Sequence, residues 1–77
     1  DEEVIRDQLK LINNKILFPL EVIGCNFQLI TLNGSVLKTG KIDKSVIELN
    51  NFGNGIYCLV VYHPKMTIAK KISFMNH

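Results

Sequence analysis

At 77 residues the chain has room for one domain and one modest hydrophobic core. Nine Lys and Arg against seven Asp and Glu leave a net charge of only +2, and the basic residues are scattered along the sequence, which argues against nucleic-acid binding. Sixteen residues are Val or Ile while the one alanine is Ala69, a composition that favours pleated strands over helix; no apolar run approaches the ~20 residues of a membrane-spanning helix, so no membrane insertion is expected.

Residues 1–7 are the most charged stretch and show no alternation, so they read as a linker end, with a single domain over residues 8–77. A start at Asp1 without Met is expected of a processed chain or a piece of a longer one. From Leu9 the apolar residues come in seven short bursts separated by Asn and Gly. The first ends at Asn13-Asn14. Ile16, Phe18, Leu20 and Val22 then alternate with Lys15, Pro19 and Glu21, the period of a half-buried strand, and Pro19 marks an edge strand or a break.

Residues 26–32 run into Asn33-Gly34 ahead of Val36-Leu37. Asn-Gly tolerates the positive φ of a type I′ turn, which makes this the strongest hairpin signal in the chain. Residues 45–49 form a short strand, residues 50–54 a polar corner and residues 55–62 a long strand. His63-Pro64-Lys65 turns the chain into residues 67–74. Strands at this spacing predict an all-β fold, an immunoglobulin-like sandwich of about seven short antiparallel strands. Its core is expected to include Phe27, Leu29, Leu49, Tyr57, Leu59, Val61 and Ile72.

Four residues are read as fold-determining. Asn33 and Gly34 set the hairpin, Gly55 supplies a backbone angle or a close approach, and Tyr57 forms a tyrosine corner whose hydroxyl bonds back to the corner backbone. In residues 55–62 both faces are apolar, Tyr57, Leu59 and Val61 on one and Cys58, Val60 and Tyr62 on the other. The second face must be covered by a neighbouring segment, buried against a partner, or left as an exposed patch.

The chemistry-bearing side chains form no cluster in sequence. Cys25 and Cys58 have no CxxC spacing and no neighbouring His, so no metal site or redox motif is expected, and two free thiols are favoured over a disulfide. His63 reads as a turn residue, His77 is terminal, and Asp1, Glu2 and Glu3 are a solvated charge run. No catalytic site and no cofactor are expected.

Three stretches carry a family pattern. They are Leu29-Ile30-Thr31-Leu32-Asn33-Gly34-Ser35-Val36-Leu37; Ile47-Glu48-Leu49-Asn50-Asn51-Phe52-Gly53-Asn54-Gly55-Ile56-Tyr57-Cys58-Leu59-Val60-Val61; and Ile68-Ala69-Lys70-Lys71-Ile72. In order and spacing they resemble the type A C-terminal sorting domain of the type IX secretion system, over residues 8–74. The Pro-Asn-Pro segment that often opens that family is replaced here by Leu11-Ile12-Asn13-Asn14, and Phe52 stands where Leu is usual. The resemblance implies an exported protein, in transit through the periplasm to the outer-membrane surface or the medium, and a protein partner: the secretion translocon, a sortase, or an adjacent domain of the parent chain. Lys70, Lys71, Ile72 and Phe74 on the last strand are the candidate partner-binding residues, with the Lys pair guarding an accessible edge. The rival readings are a structural accessory domain packed on a neighbouring enzyme or adhesin and, more weakly for a chain without Trp, a small barrel that binds carbohydrate or nucleic acid.

Overall fold

A computed structural model describes residues 2–50 and 52–75. Asp1, Asn51, Asn76 and His77 lie outside the described residues, and with them part of the opening charge run, one position of the expected corner and the terminal histidine. In chain order the elements are helix α1 (Glu2–Gln8), strands β1 (Lys10–Ile12) and β2 (Lys15–Leu17), a 3₁₀ turn over Leu20–Val22, and strands β3 (Asn26–Thr31), β4 (Val36–Lys41), β5 (Val46–Glu48), β6 (Gly55–His63) and β7 (Met66–Phe74).

The seven strands form two antiparallel sheets, β1-β2-β5 and β4-β3-β6-β7, packed together as an all-β sandwich of the immunoglobulin-like kind. β4 pairs with β3, so the fourth strand belongs to the larger sheet and not beside β5 as in constant-type immunoglobulin domains. The core between the sheets takes alternate residues of each strand. Phe27 and Leu29 from β3, Leu59 and Val61 from β6, and Ile68, Ile72 and Phe74 from β7 meet Ile16, Phe18 and Leu49 from the smaller sheet and its flanks. The rings of Phe18 and Phe27 join the two layers with centroids 5.9 Å apart.

The turns explain where the strands stop. Asn13 and Asn14 both adopt left-handed backbone (φ 51° and 63°), which makes the β1–β2 connection a two-residue turn of type I′. Asn33-Gly34 does lie at the tip of the β3–β4 hairpin, but in a four-residue loop in which Gly34 (φ 96°) takes the left-handed position and Asn33 does not. Thr31 closes that loop. Its N–H donates to Ser35 O at 2.9 Å, its carbonyl accepts from Gly34 N–H at 3.0 Å, and its Oγ1 accepts from Ser35 N–H at 3.0 Å. Pro19 is a break: the alternation that places Ile16, Phe18 and Val22 inside fails at Leu20, which is 80% exposed because the chain winds into the 3₁₀ turn there.

Residues 2–8 are helix where the sequence suggested a linker end. Ile5 and Leu9 are buried four residues apart, one turn of a helical stripe, while acidic residues open the helix and Glu2 pairs with Arg6 at i, i+4. So short a helix is not stable alone, and its order comes from tertiary packing against β7.

A candidate docking edge on the last strand

β7 is an edge strand, bonded to β6 along one side only. The Arg6 guanidinium Nε donates to Ala69 O at 3.1 Å, which fixes the phase of the strand: Ala69 directs its backbone groups away from β6, and by alternation so do Thr67, Lys71 and Ser73. Helix α1 covers the edge at Ala69. Beyond it, no described residue bonds to the outward backbone groups of Lys71 and Ser73.

This open stretch borders a groove of about 220 Å³ lined by Leu11, Asn13, Asn14, Ser73 and Met75. One wall is the β1–β2 hairpin, whose type I′ turn carries the two Asn side chains; the other is the end of β7. An extended peptide laid against β7 would enter this groove and meet N–H and C=O groups of Lys71 and Ser73, with the side-chain amides of Asn13 and Asn14 on its far side.

Of the four side chains expected to meet a partner, three are used inside the domain. Ile72 (7% exposed) and Phe74 (1%) face the core, because the alternation that begins with Ile68 points them inward. Phe74 is held among aromatic rings, edge-on to Tyr57 at 5.2 Å and stacked with Phe52 at 5.6 Å. Lys70 shares that inward parity near the sandwich rim, and its ammonium donates to the carbonyl of Leu9 (2.7 Å) just past the end of α1 and to that of Arg6 (3.0 Å), which also accepts from Leu9 N–H. Lys71 alone is exposed. Beyond Ala69, β7 thus leaves open the side chain of Lys71 and the outer edge of its backbone.

The fold-determining residues fall close together or apart according to their turns. Tyr57 hydroxyl donates to Gly53 O at 2.8 Å, four residues back, as in a tyrosine corner, and its ring is half-buried rather than fully enclosed. Gly55 has φ 151°, a backbone angle that favours glycine, while a Cβ there would meet the Tyr57 ring only at ordinary contact distance; the angle and not a close approach sets the requirement. Asn33 and Gly34 belong to a separate hairpin.

Cys25 and Cys58 are free. Cys58 pairs with Ile30, whereas Cys25 precedes Asn26, whose partner is Tyr62, so about five residues of strand, on the order of 16 Å, separate the two thiols along the sheet. His63 accepts from Lys65 N–H through Nδ1 at 3.1 Å within the Pro64-Lys65 turn. Among the described residues no group of three or more His, Cys, Asp or Glu is placed to hold a metal ion. The residue that sequence reasoning missed is Arg6, hidden in the presumed linker; the one signal for it was the four-residue spacing of Ile5 and Leu9.

Comparisons with family models, with curated proteins and with solved structures find no match to this chain.

Proposed function

We propose that the domain is a sorting and docking module of an exported protein, recognised by the type IX secretion machinery for outer-membrane translocation and surface attachment, with no catalytic step of its own. The observation that carries this reading is the uncovered backbone of Lys71 and Ser73 beside the Asn13–Asn14 hairpin. Edge groups of this kind are bound by strand addition, in which main-chain hydrogen bonds give affinity and flanking side chains give selectivity. The reading also draws on the sequence resemblance, whose hairpin, Gly-Ile-Tyr strand and final Lys-pair strand correspond to β3–β4, β6 and β7.

The test is a fusion of residues 1–77 to a passenger protein in a bacterium that has a type IX system. The whole chain is needed, because Arg6 and Lys70 tie α1 to β7. Surface delivery that depends on the translocon is expected. A passenger that stays in the periplasm with the domain folded would sink the reading and leave the structural accessory domain in its place.

A further inference from the structure

The charges of this chain are sorted by sheet. β3, β4, β6 and β7 with their hairpin turns hold five of the nine basic residues, Lys38, Lys41, Lys65, Lys70 and Lys71, and none of the seven acidic ones. Every Asp and Glu belongs to α1, β5, the connecting segments or position 1.

Of those five, Lys41 and Lys71 stand on the outward face of the four-stranded sheet, Lys38 and Lys70 have the opposite parity and Lys65 lies in the β6–β7 turn; the outward face adds an apolar centre to its two lysines. Register places Val36, Ile30, Cys58 and Lys71 in one row across the four strands, and Thr39, Gln28, Val60 and Ala69 in the next. Ile56 continues the patch along β6 and Leu32 continues it at the hairpin tip. Leu32, Val36 and Ile56 are 64%, 52% and 50% exposed, values far from those of a covered surface. Lys71 borders the patch on the β7 side, and Lys41 lies further along β4 in the row of Asn26, Tyr62 and Thr67. Tyr62 hydroxyl donates to Gln28 Oε1 at 2.9 Å, which closes off the polar end of the face.

From this we infer that the outward face of the four-stranded sheet is a second docking surface, separate from the β7 edge, that takes a protein surface with an apolar centre and an acidic rim. The apolar rows supply the driving force through burial, and the lysines select against basic partners, since a like charge at the rim costs more than an opposite one gains. A contiguous exposed apolar patch rimmed by polar groups marks an interaction site, and the sign of the charge at its rim selects the partner. The inference holds whether or not the sorting reading does, because passenger delivery does not report on this face.

The test uses the full chain labelled for amide NMR and three short strand-forming peptides as probes: one alternating Glu and Val, one alternating Lys and Val, and one alternating Glu and Ser. The Glu-Val peptide should shift the amides of Ile30, Val36, Ile56 and Val60, and the other two should not. Lys41→Glu and Lys71→Glu should each weaken that binding about threefold, and added salt should weaken it further. Equal binding of the Lys-Val peptide would overturn the proposal, as would no shift with any peptide. Shifts confined to Lys71 and Ser73 would mean addition at the edge instead. Concentration-dependent shifts at the same face without peptide would make a second copy its occupant, and binding to phosphatidylglycerol vesicles but to no peptide would make it a lipid surface; each of these also overturns it.

Discussion

The Lys70 ammonium donates to the carbonyl of Leu9 at 2.7 Å across 61 positions of sequence, and the same ammonium reaches Arg6 O at 3.0 Å. One side chain of the last strand thereby closes the first helix of the chain, and Arg6 Nε returns a bond to Ala69 O. Helix α1 and the middle of β7 are tied at one place, and the length of β7 edge left open is set by where that tie stops.

Lys70→Met keeps the aliphatic stem and removes the three donors. Charge-assisted bonds of this type are worth ~1–2 kcal/mol at a half-exposed site, so the denaturation midpoint should fall accordingly. Amide exchange over residues 2–9 should rise more than exchange in β3 or β6. Unchanged protection of α1 would show that Ile5 and Leu9 dock the helix without Lys70.

Tyr57→Phe deletes the hydroxyl that donates to Gly53 O and leaves the ring against Phe52 and Phe74. A cost of about 1 kcal/mol is expected, read from chemical denaturation with the m-value unchanged. A midpoint identical to wild type would remove the corner from the account of stability.

Asn14 sits at φ 63° in the β1–β2 turn. Asn14→Ala should destabilise by about 1 kcal/mol, because the left-handed conformation crowds an ordinary Cβ, whereas Asn14→Gly should be neutral or slightly stabilising. Equal effects of the two substitutions would contradict the type I′ assignment.

Cys25 and Cys58 should both alkylate in the native protein without reductant, giving two adducts by mass. A species that takes up label only after reduction would require a disulfide, and with it a shift of several residues in the β3–β6 register.

Much of the fold was legible because it is written locally. Asn33-Gly34 marks a hairpin tip, Gly55 and Tyr57 mark the start of β6, and the two-residue alternation of β6 separates Leu59 and Val61 from Val60 and Tyr62 without reference to the rest of the chain. What sequence reasoning missed depends on distant partners. α1 is a single apolar turn whose order comes from β7, and its composition resembles a solvated linker. The inward aim of Lys70 follows only once the phase set by Ile68 is known, and a Lys pair reads in sequence as two equivalent charges. The segregation of acidic residues from the four-stranded sheet is split along the chain, because Glu21, Asp43 and Glu48 fall before and after β3–β4, and it emerges when β3–β4 and β6–β7 come together. Leu20 misled for a simpler reason: the period-two pattern continues through Pro19 although the strand does not.

The edge of β7 is tested most directly by Ser73→Pro. Truncating the strand would strip Ile72 and Phe74 from the core and unfold the domain, whereas Ser73 is exposed and its N–H points away from β6, so proline there removes one outward donor and spares the β6 ladder. In the passenger fusion, with circular dichroism and the thermal midpoint verifying that the variant remains folded, the surface-delivered fraction is measured for wild type and for Ser73→Pro. Recognition through the β7 edge predicts a large loss of surface delivery with the passenger accumulating in the periplasm. Delivery equal to wild type from a folded Ser73→Pro domain would contradict it.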